Sequence, residues 1–179
     1  MNLTKYQFNT YCYWPPNPKK IIEFIGGSYL ASKPDFTYKR LIESLSNKNY
    51  AVHAYKFTPQ FDHQELAINA WKDFKNCRRN LSKSIGKSIP SIRIGHSLGC
   101  KLHLISPDGG RNCEKFISIS FNNFSASKSI PLLKKISQTL DFKSEFSPSP
   151  DRTWRIIEKT YNQKNNLLIK FNSDQLDQT

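Results

Sequence analysis

Short β-branched or aromatic runs alternate along the chain with longer segments whose apolar residues recur every three or four positions. The first run, Lys5 to Trp14, alternates loosely and carries Tyr6, Phe8, Tyr11, Tyr13 and Trp14, which predicts a strand or hairpin arm. Trp14-Pro15-Pro16-Asn17-Pro18 stops it, because prolines supply no ladder donors. Ile21 to Ile25 reads as a short buried strand ending in Gly26-Gly27-Ser28-Tyr29. From Phe36 to Lys48, Tyr38, Leu41, Ile42 and Leu45 share one helical face, and Asn49 suits the left-handed position that closes a helix. Tyr50 to Phe57 predicts the next strand.

The exit from that strand is Phe61-Asp62-His63-Gln64-Glu65-Leu66. Asp62 as N-cap with Glu65 three residues on forms a capping box, and Phe61 against Leu66 a hydrophobic staple, so Asp62 reads as structural. The helix it opens turns Leu66, Ala70, Trp71, Phe74, Cys77, Leu81 and Ile85 inward, shows Lys and Arg outward, and stops near Gly86. Later, Pro107-Asp108-Gly109-Gly110 turns the chain and Phe116 to Phe121 predicts another strand. Between Asn122 and Pro150 the pattern loosens around one amphipathic stretch, Ile130 to Leu140, which suggests a small cap over 122–149; a solvated excursion is the alternative. Ser149-Pro150 starts a helix, with Ser as cap and Pro in the first turn. Leu167 to Phe171 is the last strand, an apolar run of the buried kind. Strands alternating with helices imply right-handed crossovers and an α/β fold with a mostly parallel central sheet flanked by helices.

The chemistry gathers at Ile92-Arg93-Ile94-Gly95-His96-Ser97-Leu98-Gly99-Cys100-Lys101-Leu102. A β-branched run enters G-x-S-x-G and an apolar helix-favouring segment leaves it, the sequence form of a nucleophile elbow. Such a turn holds the serine hydroxyl clear of strand and helix, and the flanking glycines make room where the two cross. The Gly26-Gly27 loop ends a neighbouring strand, where backbone N–H groups can approach a ligand; an ordinary tight turn is the other reading. Ligands of parallel sheets bind beyond the strands' carboxyl ends, which is where Ser97, Gly26-Gly27 and His63 fall.

Composition refines this picture. The 179 residues suit one domain, 1–179, and 37% hydrophobic with 13% aromatic residues is ordinary for a globular chain. The net charge of +13 is spread along helical faces; it favours solubility and weak attraction to polyanions, without a motif for specific nucleic-acid recognition. Cys12, Cys77, Cys100 and Cys113 form no CxxC pair and read as reduced thiols of a cytosol-like compartment. His96, Cys100 and His103 lie close in sequence, yet two of them are on the helix behind the elbow and no second cluster completes a site, so no metal or other cofactor is expected. The N-terminus lacks a basic-then-apolar signal, and no stretch approaches a membrane span.

With elbow, glycine loop and a post-strand aspartate in place, the chain resembles the α/β-hydrolase fold, whose order is Ser, then Asp or Glu, then His. Phe24-Ile25-Gly26-Gly27, Thr37-Tyr38, Phe61-Asp62-His63, Gly95 to His103 and Ser120-Phe121-Asn122-Asn123-Phe124 are similar to phrases of an α/β-hydrolase-like family of cyanobacteria and chloroplasts, the domain of unknown function 1350. The resemblance covers nearly the whole chain. It implies Ser97 as nucleophile, the Leu98 N–H as one oxyanion donor and that of Gly27 or Ser28 as the other. It also implies Asp174 as the acid, with Asp177 as the second choice.

In that fold the histidine lies on a loop after one further strand, whereas no histidine follows residue 103 here. The final strand and histidine loop are therefore expected to be missing, as by C-terminal truncation. His96 adjoins the nucleophile, which usually sends a side chain elsewhere; His103 lies behind it and His53 inside a strand. His63 remains as the candidate base, with local packing as its other role. The expectation is a serine hydrolase of esters, thioesters or amides that lacks its usual histidine. One alternative is a non-catalytic scaffold for a small acyl or lipid-like ligand or a protein partner. Another is a polyanion binder exploiting the charge. An unpaired edge on the last strand, with Lys170 its one charge, predicts homodimerisation or poor solubility.

Overall fold

Ile21 to Ile25 is buried residue after residue, as a strand must be when both faces of its sheet are covered. It lies in β3 (Lys20–Ile25) of a seven-stranded sheet whose other members are β1 (Leu3–Gln7), β2 (Thr10–Trp14), β4 (Tyr50–Tyr55), β5 (Ser91–His96), β6 (Lys115–Ile119) and β7 (Asn166–Ile169). The computed structural model describes residues 3–129, 145–174 and 178. Ile130 to Leu140, read above as the cap's amphipathic stretch, and Asp177 lie outside the described residues. The strand order is β1-β2-β4-β3-β5-β6-β7. β1 and β2 are a hairpin joined antiparallel to β4, and every pairing from β4 to β7 is parallel.

Among the described residues the α-helices are α1 (Pro34–Thr37), α2 (Lys39–Asn47), α3 (His63–Ile85), α4 (Leu98–Leu104), α5 (Ala126–Ser129) and α6 (Pro150–Thr160). Ile25 and Tyr55 pack with Leu66, Ala70 and Phe74 of α3 and with Leu98 and Leu102 of α4 on one face. Ile22, Phe24, Val52, Ala54 and Ile94 meet Ile42 of α2 on the other. The Asp62 carboxylate accepts the Glu65 N–H at 2.8 Å, so it caps α3 as its spacing predicts. Gly86, at φ 72°, closes that helix in the left-handed conformation, and Asn49 (φ 65°) adopts the same region after α2. Ser149 caps α6, with Pro150 at its first position.

Two predicted elements differ. The single helix expected over 36–48 is broken at Tyr38 (φ −113°) into α1 and α2, because the tyrosine ring turns in against Phe24, 4.6 Å between centroids. The last strand is not buried: Leu167 and Leu168 are 46% and 59% exposed on β7, the strand at one end of the sheet order.

Charge is also buried in the middle of the sheet. Glu23 of β3 and Arg93 of β5 are register partners, 0% and 2% exposed. Arg93 holds Asp108 with two hydrogen bonds of 2.8 Å and donates to Glu23 at 3.2 Å, while Arg78 of α3 takes the other Glu23 oxygen. Burial works against the Asp108 carboxylate, but the Arg93 bonds and charge outweigh it and hold its pKa well below the usual carboxylate range.

Asp108→Asn removes one of the two carboxylates that pair with Arg93 and leaves the buried network short of a negative charge, and denaturant unfolding at pH 7 should show a loss of about 3 kcal/mol. A depressed folded pKa stabilises fully above the unfolded value, about 4, and that stabilisation fades as pH falls. The gap between wild type and variant should therefore narrow in acid.

Candidate functional site

β5 runs at full extension to His96, the chain reverses at Ser97 (φ 54°, ψ −120°), and α4 begins at Leu98. A positive φ at a residue with a side chain is costly and persists only where the surroundings enforce it. They do so here. A Cβ on Gly95 would lie 2.6 Å from Cys100 backbone atoms, and one on Gly99 would lie 2.0 Å from the Ile25 carbonyl oxygen. The Ser97 N–H donates to Ile119 O of β6 at 2.9 Å, tying the turn to the adjacent strand. The serine thus stands at the carboxyl end of a central parallel strand.

The glycine loop after β3 lies alongside. A Cβ on Gly27 would be 3.3 Å from Ser97 Cβ and 3.2 Å from His96 Nδ1. The Gly27 N–H, however, is spent on the Tyr38 hydroxyl at 2.8 Å, which corrects its expected role as an oxyanion donor. The N–H groups of Ser28 and Leu98 carry no hydrogen bond among the described residues. Both residues line a cavity of about 220 Å³ walled by Tyr29, Phe61, His63 and Phe146.

Ser97 Oγ accepts a 2.8 Å hydrogen bond from Asn122 Nδ2, in the loop that follows β6. His63 does not bond to Ser97. Its ring stacks on Phe146, 4.2 Å between centroids, at the wall of the cavity, and its Nδ1 has no partner among the described residues. Burial, reinforced by the Lys101 charge, pushes its pKa down to about 3. His53 accepts the Trp14 indole N–H at 2.9 Å deep in the sheet, and His103 packs between Phe74 and Phe116; neither reaches the serine turn. His96 does not turn away from the site. Its Nδ1 is 2.9 Å from the Tyr38 hydroxyl, with its ring against the tyrosine. Burial lowers its pKa and the charge of Asp174 opposes that, so Asp174 acts on His96. Asp177 lies outside the described residues.

Tyr38, Asn122 and Lys101 carry no role in the sequence reading, although all three stand in the family-like phrases. Lys101 is buried on α4, donates to the Pro148 carbonyl at 3.0 Å and sits 5.8 Å from the Phe146 ring. Desolvation pulls its pKa down to about 8, against the opposing charge of Glu145. No group of three or more His, Cys, Asp or Glu side chains fit to hold a metal ion occurs among the described residues. No helix among them is long and apolar enough to cross a membrane.

The family model described as "Protein of unknown function (DUF1350)" matches residues 7–179. The chain belongs to this family. Comparison with curated proteins found no match. Among solved structures, the DUF1350 chain is similar to dienelactone hydrolase from Anabaena variabilis (TM-score 0.59, 12% identity, 99% of this chain and 88% of that one). It is also similar to the lipase BlEst2 of Bacillus licheniformis (0.58, 14%, 93% and 72%). A third is FphF, a fluorophosphonate-binding serine hydrolase of Staphylococcus aureus (0.57, 10%, 95% and 78%). At these identities the likeness establishes the α/β-hydrolase fold.

Lys101 gives a test of the site's electrostatics. Its folded pKa lies below the unfolded value of about 10.4, so between pH 8 and 10 the unfolded chain binds more protons and stability rises with pH. Lys101→Met should abolish that rise in thermal unfolding measured across the same pH range.

Proposed function

We propose that this DUF1350 chain is a serine hydrolase in which Ser97 attacks the carbonyl of a small ester, thioester or amide. The observation that carries this reading is the strained turn at Ser97, with φ 54° and ψ −120°, held beside two unbonded backbone N–H groups. Strain of this kind persists where a function maintains it. Oγ forms a bond to the carbonyl carbon, and the carbonyl oxygen takes the negative charge facing the Leu98 and Ser28 N–H groups. The serine proton passes to a base and returns to the leaving group, after which water cleaves the acyl-enzyme; His63, in the cavity wall, is the candidate, and it would have to leave its stack on Phe146 to reach Oγ. Burial and the Lys101 charge keep His63 neutral at pH 7 and make it a weak base. Asn122 holds the hydroxyl until a substrate displaces it. The cavity of about 220 Å³, with Phe61 and Phe146 in its walls, suits a short or aromatic acyl group. Four buried free thiols agree with a reducing compartment such as the cytoplasm or a plastid stroma.

A fluorophosphonate probe should label the chain, and Ser97→Ala should abolish the labelling. Labelling that survives the substitution removes Ser97 as the nucleophile. A folded wild type that never labels points to the non-catalytic scaffold, which the Asn122–Ser97 bond favours.

The proposal includes a homodimer through β7, whose exposed Leu167 and Leu168 suit edge-to-edge pairing. Light scattering should give twice the chain mass, falling to the chain mass in Leu168→Lys; a wild-type monomer rules the contact out.

A further inference from the structure

Tyr38 and His96 meet beside the glycine loop, next to Ser97. Ile92, Ile94 and His96 alternate onto the face of β5 that is turned toward α2, which carries the His96 imidazole to Tyr38 at the break between α1 and α2. Tyr38 is wedged there. A Cβ on Gly26 would fall 2.4 Å from its ring, and its hydroxyl receives the Gly27 N–H at 2.8 Å. Asp174, in the turn just beyond β7, reaches His96 with its charge.

We propose that Asp174, His96 and Tyr38 form a positioning relay whose output is the oxyanion loop. The aspartate at the position of the family acid serves the imidazole, the imidazole fixes the phenol, and the phenol holds the Gly27 N–H, so that the next N–H, Ser28, is left to face the substrate. The relay rests on the serine-hydrolase reading above, but its hydrogen bonds are a property of the resting protein.

Counting protons gives the relay its logic. A tyrosine oxygen has one proton to give and two lone pairs to fill. Gly27 fills one lone pair, so with neutral His96 accepting at Nδ1 the tyrosine proton is committed to the imidazole. The imidazole proton is then on Nε2. When His96 is protonated, Nδ1 becomes a donor, Tyr38 must accept twice, and its own proton loses its acceptor. The Gly27 clamp is then altered, so oxyanion stabilisation has an acid limb set by His96. Among the described residues, the charged and titratable groups acting on that histidine are Tyr38 from the α1–α2 break and Asp174 from beyond β7; Ser97 and the Gly27 backbone are its uncharged neighbours. Burial keeps the His96 pKa below the usual value and Asp174 raises it, so removing the aspartate charge moves the limb to lower pH.

The relay acts on the transition state, so kcat should fall while KM stays near its wild-type value. With p-nitrophenyl butyrate as probe, Tyr38→Phe should lose about tenfold to a hundredfold in kcat, approaching the effect of one lost oxyanion donor. His96→Asn, whose amide can still accept from Tyr38, should retain more activity than His96→Ala. Asp174→Asn should shift the acid limb of kcat/KM downward. Independently of turnover, the His96 imidazole resonance followed by NMR should titrate at lower pH in Asp174→Asn than in wild type. If Ser97→Ala is inactive while Tyr38→Phe and His96→Ala keep wild-type kcat, the relay is wrong and the hydrolase reading stands. If Ser97→Ala hydrolyses the probe as well as wild type, the hydrolase reading fails and takes the catalytic role of the relay with it. A His96 resonance that does not respond to Asp174→Asn removes the aspartate from the relay in either case.

Discussion

Strand β3 and helix α4 cross so closely that a first side-chain carbon at residue 99 would sit 2.0 Å from the Ile25 carbonyl oxygen. Everything at the carboxyl edge of the sheet depends on that crossing. It lets β5 reverse at Ser97 without a wide loop and brings the Gly26-Gly27 loop of β3 beside the serine. It also aims the start of α4 at the acyl cavity. Widening it by one methyl would separate the nucleophile from the N–H groups that face the same cavity, even with every side chain of the site still present. In this sense the backbone is the larger part of the site, and the side chains are held to its dimensions.

Burying Glu23 and Arg93 face to face between strands is costly, since ions leave water at several kcal/mol each. The arrangement persists because every charge is answered: Arg93 by Glu23 and Asp108, Glu23 additionally by Arg78, and Asp108 by Ser106 and backbone N–H groups. The network joins β3, β5, α3 and the turn after α4. An apolar pair would fill the same space, but it would not single out one register between β3 and β5. A one-residue slip here leaves two buried charges unpaired.

Much of this fold was legible because its local signals agree with its global ones. Asp62 and Glu65 announce the start of α3, Gly86 its end, and Gly95 and Gly99 bracket the serine. What escaped the sequence depends on long-range contact. Tyr38 has helical spacing, and only the packing of Phe24 and the glycine loop reveals that it breaks the helix. Asp108 sits in a Pro-Asp-Gly-Gly stretch that reads fully as a turn, so its pairing with an arginine 15 residues away is invisible locally. Leu167 and Leu168 read as buried because hydrophobicity reports a strand but not its place in the sheet order. Adjacency to Ser97 argues His96 out of the site. Adjacency in a strained turn fixes the direction of a side chain without saying what meets it there.

The two ends of the excursion after β6 are tied to each other and to the site. The Glu145 carboxylate accepts the Ala126 N–H at 2.8 Å, and Lys101 grips Pro148 at 3.0 Å, directly ahead of α6. A segment whose ends already meet adds loop-closure entropy that grows only as the logarithm of its length, about 0.6 kcal/mol for each doubling. A change of length between these anchors therefore costs little in loop closure. Length and composition there can change while the serine turn stays fixed by its own crossing of β3 and α4.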